Sequence, residues 1–180
     1  MVHTLLQPLA AYLTGLDQII ARYNTITGSV AQYNTDLENL KNTIAPGKMH
    51  LANAALCDPV GNPSEETKKW ARALKGPYAD IKTLEGRAKQ LDDDMSAITA
   101  LAREAFPRIN GFREVIPKLK KEGTEADVAE AADMLEERYR TRGDRFVKKR
   151  QEVQAEVTQL RRDISTVSGE VSNLIEWVKV

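Results

Sequence analysis

Two histidines and one cysteine are the side chains in this sequence best suited to metal binding or nucleophilic chemistry. His3, His50 and Cys57 are not spaced as zinc ligands, and neither histidine accompanies a nucleophile motif. The chain also lacks a glycine-rich phosphate-binding loop. The sequence therefore predicts no catalytic residue, no metal ligand and no cofactor, and we expect a protein that is not an enzyme.

Charge segregation in the last 75 residues is the strongest local signal. The whole chain is balanced, with 26 basic and 26 acidic residues, yet residues 108–121 and 138–150 are mainly basic and residues 122–137 carry only acidic charge. An anionic surface is one possible ligand for the basic stretches. The candidate contacts are Arg113, Lys118, Lys120, Lys121, Arg138, Arg140, Arg142, Arg145, Lys148 and Lys149.

The competing interpretation is that these charges cancel inside the molecule. Folding at the turn near residue 123 would bring the acidic stretch close to Arg103, Arg108 and Arg113, and the basic stretch towards Glu85 and residues 92–94. Complementary charge would then set helix pairing and register without any external ligand. Nucleic acid is not the expected partner, because the acidic stretch would repel its phosphates.

Three segments position these residues, and the first shows an unbroken apolar repeat. Its apolar residues alternate at three- and four-residue steps, which predicts a helix over about residues 2–45 with one stripe facing a partner. Ala45, Pro46 and Gly47 are stop signals, so a connection is expected at 46–63. Tyr23 and Tyr33 lie on the repeat, where we expect core packing with a reachable hydroxyl. The repeat consists of Leu9, Tyr12, Leu16, Ile19, Tyr23, Ile26, Val30, Tyr33, Leu37, Leu40 and Ile44.

The second and third segments repeat the pattern with interruptions. Ser64, followed by two glutamates, predicts the start of a helix over about 64–107, and prolines at 77, 107 and 117 predict a late start or kink near 77 and a broken end over 108–122. The third helix is expected over about 124–178. Gly143 and Arg150 occupy apolar positions of its repeat, which predicts looser packing or a bend between about 140 and 150.

A helix with one apolar stripe must bury it against a partner, and both connections are short relative to the helices. The sequence therefore predicts an all-α fold, an elongated antiparallel bundle of three long helices with heptad packing, as a single domain over 1–180. The first helix also carries Leu6, Leu13 and Ile20, seven residues apart and beside the main stripe. These three contact both neighbouring helices or provide a partner interface.

The expected function is that of a helical scaffold that binds another protein, or itself, through long helix faces. The first helix, which has few charges to desolvate, is the expected interface. The alternative is a membrane-active bundle, either a toxin or effector component or a lipid-surface binder, that uses the basic and apolar end near the second turn. No signal peptide or transmembrane helix is expected, so cytoplasmic is the default location, with leaderless secretion as the open alternative.

Overall fold

The computed structural model consists of three helices, α1 (Leu6–Cys57), α2 (Glu65–Glu122) and α3 (Ala126–Val178). It describes the backbone of residues 6–57, 62–122 and 126–178, and the side chains of 13–57, 62–103, 130, 133–134 and 136–178. Each helix contacts both others. The prediction of an all-α three-helix bundle is confirmed.

The contacts group the chain into two compact units, each of which takes segments from all three helices. Unit 1 comprises Met1–Thr27 and Asp93–Ala155, and unit 2 comprises Gly28–Asp92 and Glu156–Val180. The single-domain assignment stays a prediction.

The direction of the helices follows from contacts within each unit. In unit 1, α1 residues 17 and 23 contact α3 residues 142 and 146, so α1 and α3 run parallel. In unit 2, α1 residues 47 and 50 lie against α2 residues 74 and 70, so α1 and α2 run antiparallel. In unit 2, α1 and α2 therefore have the antiparallel direction that the sequence predicts.

The core of each unit is made from the repeat positions that the sequence indicates. Leu37, Ile44, Ile81 and Val157 are buried in unit 2. In unit 1 the buried positions include Leu16, Tyr23, Met95, Phe146 and Val153. Each large apolar side chain that is fully buried contributes about 1.5–3 kcal/mol of stabilisation, and this contribution offsets the entropy lost when the chain becomes ordered. Helix α3 is continuous through 140–150, and Phe146 is buried between the two gaps in its repeat.

Helix α1 continues through Pro46 and Gly47 to Cys57, so the prediction that it ends at Ala45 is wrong. Pro46 lies on the exposed side of the helix, where it removes one backbone hydrogen bond. Gly47 faces α2 so closely that a Cβ atom there would lie 2.8 Å from Leu74 Cδ2. Beyond these residues Leu51 and Ala54 are buried. Tertiary packing on α2 therefore overrides the local stop signals.

Helix α2 begins where the sequence predicts. The Ser64 hydroxyl accepts a hydrogen bond from the Thr67 amide at 3.2 Å, and the Ser64 carbonyl accepts one from the Lys68 amide at 3.0 Å. These bonds satisfy amides that the first turn leaves unpaired. Beside this cap, a hydrogen bond from Lys68 lowers the pKa of Glu65, with the ammonium charge as the next cause.

Of the late start or kink predicted near Pro77, the late start is wrong and the kink stays a prediction. The predicted broken end over 108–122 is also wrong. The helix begins at Glu65, ahead of Pro77, and its backbone continues through Pro107 and Pro117 to Glu122. Each proline removes one backbone hydrogen bond from the helix. A helix of this length retains the great majority of its backbone hydrogen bonds, so it continues past the prolines. The predicted start of α3 at Gly123 and Thr124 lies outside the described residues.

Candidate functional site

A groove between α1 and α3 in unit 1 brings together three of the predicted basic contacts. Its volume is about 590 Å³. Arg138, Arg142 and Arg145 follow one another at four- and three-residue steps, which places them on one face of α3. The facing side of α1 contributes Asp17, Ala21 and Asn24, and Glu137 adds a second carboxylate.

Arg142 is engaged within the chain. Its Nε donates to both carboxylate oxygens of Asp17, at 3.0 Å each. Because both side chains remain partly exposed, this ion pair contributes about 0–1 kcal/mol to stability. The internal-pairing interpretation is supported at this position, although the partner lies on α1 and not among the acidic residues of α2 that the sequence suggested.

The other predicted basic contacts divide into two sets. Arg138, Arg140, Arg145 and Lys148 are exposed and Lys149 is half-buried, with the Lys148 ammonium 3.9 Å from the Glu152 carboxylate. The side chains of Arg113, Lys118, Lys120 and Lys121 lie outside the described residues. Among the described residues, α3 therefore presents a run of exposed cations interrupted by the Asp17 pair.

The predicted partner interface on the first helix is not exposed. Leu13 and Ile20 are 5% and 4% exposed, so they belong to the core of unit 1. The stripe of α1 is wide because this part of the helix is covered from more than one side. The prediction that these residues present an exposed interface is wrong, and the Leu6 side chain lies outside the described residues.

A different part of α1 carries an exposed apolar stripe. Met49 and Leu56 are 67% and 87% exposed, and Ala45 and Ala52, which share their side of the helix, are exposed as well. Their steps of four, three and four residues hold them on one stripe, opposite the buried Ile44, Leu51 and Ala54. We call Ala45, Met49, Ala52 and Leu56 the outer stripe.

The surroundings of the outer stripe carry little charge. Lys48 is the one formally charged residue in 43–57. Its ammonium forms an ion pair with Glu170 of α3. The spacing of the outer stripe is visible in the sequence. Three of its four residues follow Ala45, where local signals predict that the helix ends, so the sequence alone does not indicate this helix face.

The remaining polar features belong to three side chains. The Tyr23 ring packs on Phe146 with a centroid distance of 6.0 Å and an interplanar angle of 55°. Its hydroxyl is buried without a hydrogen-bond partner among the described residues, contrary to the expectation of a reachable hydroxyl. His50 stacks on Trp70 at 5.5 Å between ring centroids, and Cys57 is exposed at the end of α1.

The part of the chain that the structure describes contains no candidate metal site and no membrane-spanning helix. There, no group of three or more histidine, cysteine or acidic side chains is arranged to hold a metal ion. No helix, over the same residues, is long and apolar enough to cross a membrane.

The chain matches no protein-family model, no curated protein and no solved structure.

Proposed function

We propose that this chain is a non-enzymatic interaction protein that binds another polypeptide through the outer stripe of α1. The observation that carries the proposal is the exposure of Met49 and Leu56 on one side of an uninterrupted helix. Single exposed apolar residues are common on protein surfaces, whereas a periodic set on one helix face is typical of helix-to-helix binding.

The charge distribution of unit 2 supports the choice of surface. Desolvating a charged side chain costs free energy that an apolar contact must offset. The outer stripe contains no charged residue, and the nearby Lys48 already has Glu170 as a counter-ion. Exposed segments of α2 and α3 in the same unit carry side chains such as Glu66, Arg72 and Arg162, which disfavour close helix packing.

Site-specific photo-crosslinking in the cells that make the protein tests the proposal. A photoreactive amino acid at position 56 should give a covalent adduct, because this side chain lies at the proposed contact. The same amino acid at position 134 serves as the matched control, since Met134 is also an exposed apolar residue but lies in unit 1.

The proposal requires the adduct at position 56 to be lost when Met49→Glu is introduced in the same chain. A substitution seven residues away places a charge in the contact without touching the crosslinking position. Equal yields from positions 56 and 134, or an adduct at position 56 that persists with Met49→Glu, would contradict the proposal.

Binding to an anionic membrane surface is a second candidate function, and the run of exposed cations on α3 favours it. Basic residues close to such a surface contribute about 1 kcal/mol each. Flotation with anionic and neutral vesicles should then show binding to the anionic ones alone, weakened by salt. Replacing Arg138, Arg140 and Arg145 with alanine should abolish flotation and leave helicity unchanged.

A matched control for this variant removes the same amount of charge from a different helix. The control residues are exposed and basic, and all lie on α2: Lys69, Arg72 and Arg87. Alanine at these three positions should leave flotation unchanged if the α3 surface is responsible. Wild-type protein that floats with neither type of vesicle would eliminate this candidate.

A further inference from the structure

The outer stripe alternates small and large side chains. Ala45 and Ala52 alternate with Met49 and Leu56 along about three turns of α1, which span about 17 Å. Each exposed large side chain therefore has an alanine one turn away on the same stripe. This pattern determines which partner helix can pack closely on it.

A second copy of the same stripe fits it when the two helices run antiparallel. With the two-fold axis between residues 50 and 51, Ala45 of one copy lies opposite Leu56 of the other, and Met49 lies opposite Ala52. Every large side chain then faces a small one. A parallel pair would instead place Met49 against Met49 and Ala52 against Ala52, which leaves gaps beside each bulky contact.

We propose that two copies of this chain associate antiparallel through the outer stripe of α1. This inference rests on the proposed function and names the partner as the chain itself. Self-association needs a surface that complements its own image, and the size alternation of these four residues provides that.

The charge beside the outer stripe does not oppose this partner. In a two-fold antiparallel pair, the same edge of each stripe meets its counterpart, so the Lys48 residues of both copies lie on the same side of the interface. Each ammonium is already paired with Glu170 of its own copy, so the two stripes can approach without an uncompensated charge. A lipid surface is less suited to the outer stripe, because Lys48 is the sole basic residue in 43–57.

The small size of the contact sets the expected affinity. Two helices that touch over about 17 Å bury less surface than the standard stable interface, which indicates weak association. The pair should therefore form and separate reversibly with concentration.

Sedimentation equilibrium of the purified full chain tests this inference. The weight-average mass should rise from 20.1 kDa towards twice that value as the concentration passes the dissociation constant. Met49→Glu, which occurs twice in a two-fold interface, should weaken association by about a hundredfold. Because Met49 is exposed, its helical circular dichroism should equal that of the wild type. Met134→Glu, the same substitution on an exposed methionine of unit 1, should associate as the wild type does.

A mass of 20.1 kDa at every concentration, or equal weakening by Met49→Glu and Met134→Glu, would overturn the inference. The first result leaves the proposed function intact if the adduct at position 56 in cells contains a different protein. Absence of both the dimer and the cellular adduct would remove both proposals.

The photoreactive amino acid at position 56 also tests the antiparallel register in the purified protein. The expected adduct joins position 56 of one copy to the neighbourhood of Ala45 in the other, and peptide mass spectrometry identifies the joined segments. An adduct that joins the two segments around position 56 would show a parallel pair and overturn the antiparallel arrangement.

Discussion

Replacing Tyr23 with phenylalanine should make the protein more stable. The Tyr23 side chain is fully buried, with 0% exposure, and its hydroxyl has no hydrogen-bond partner among the described residues. Burial of an unpaired hydroxyl costs about 1–3 kcal/mol in protein mutational data. Phenylalanine keeps the ring that packs on Phe146 and removes only the oxygen.

The net gain should be about 1 kcal/mol, because loss of the oxygen also forfeits some van der Waals contact with its surroundings. Urea denaturation followed by circular dichroism measures this gain as a higher midpoint with an unchanged slope. In a chain of this length, the corresponding rise in Tm is about 2–4 °C.

Tyr33→Phe is the matched control, since Tyr33 lies on the same repeat but is only half-buried. Its hydroxyl is closer to solvent, so the change in the free energy of unfolding should stay within about 0.5 kcal/mol. A Tyr23→Phe protein less stable than the wild type would contradict this prediction, because it would show that the buried hydroxyl makes a favourable hydrogen bond.

Three further predictions concern the helices. Gly86→Ala lies at an exposed position with no atom within 4 Å of the added methyl group, so it should stabilise the protein by about 0.5–1 kcal/mol in urea denaturation. Gly47→Ala should stabilise it less than Gly86→Ala does, because the added methyl group would lie 2.8 Å from Leu74 Cδ2 and the Leu74 side chain would have to shift. Ser64→Ala should cost about 1 kcal/mol in the same assay, because the first turn of α2 loses its cap. The carboxyl of Glu65 should titrate below its ordinary pKa in NMR, and Lys68→Ala should raise that pKa. Since the folded-state pKa is lowered, the small stabilisation from this pair is present above the ordinary pKa of Glu65 and is lost as the pH falls through the lowered value. An unchanged Glu65 titration in Lys68→Ala would contradict the assignment of the shift to this pair.

The apolar repeats predicted the fold because a three- and four-residue alternation describes one face of a helix, whatever that face packs against. Leu37, Ile81 and Val157 are buried for this reason. The stop signals at Pro46 and Gly47 predicted a wrong helix end. Local stop signals express the preference of an isolated segment, and the contact between Gly47 and Leu74 belongs to two helices. A prediction that included this contact would place the end of α1 beyond Gly47 and would identify the outer stripe as a helix face.

The charged residues illustrate a second limit of sequence reasoning. The segregated stretches are evident from composition, but the partner of Arg142 depends on the rotation of α3 about its axis and on which helix it meets. The structure places Asp17 of α1 beside it. In the same way, the wide apolar stripe of α1 is compatible with a partner interface and with a core position in contact with both neighbouring helices. The burial of Leu13 and Ile20 shows that these residues belong to the core.

Methionine oxidation tests most directly whether the outer stripe of α1 is a binding surface. In dilute purified protein, Met49 should oxidise at least as fast as Met134, because the exposed fractions are 67% and 52%. In intact cells, a partner bound to the outer stripe should protect Met49 from oxidation relative to Met134, and Leu56→Glu should remove that protection. The same ratio of Met49 to Met134 oxidation in cells and in dilute solution would show that no partner covers the outer stripe.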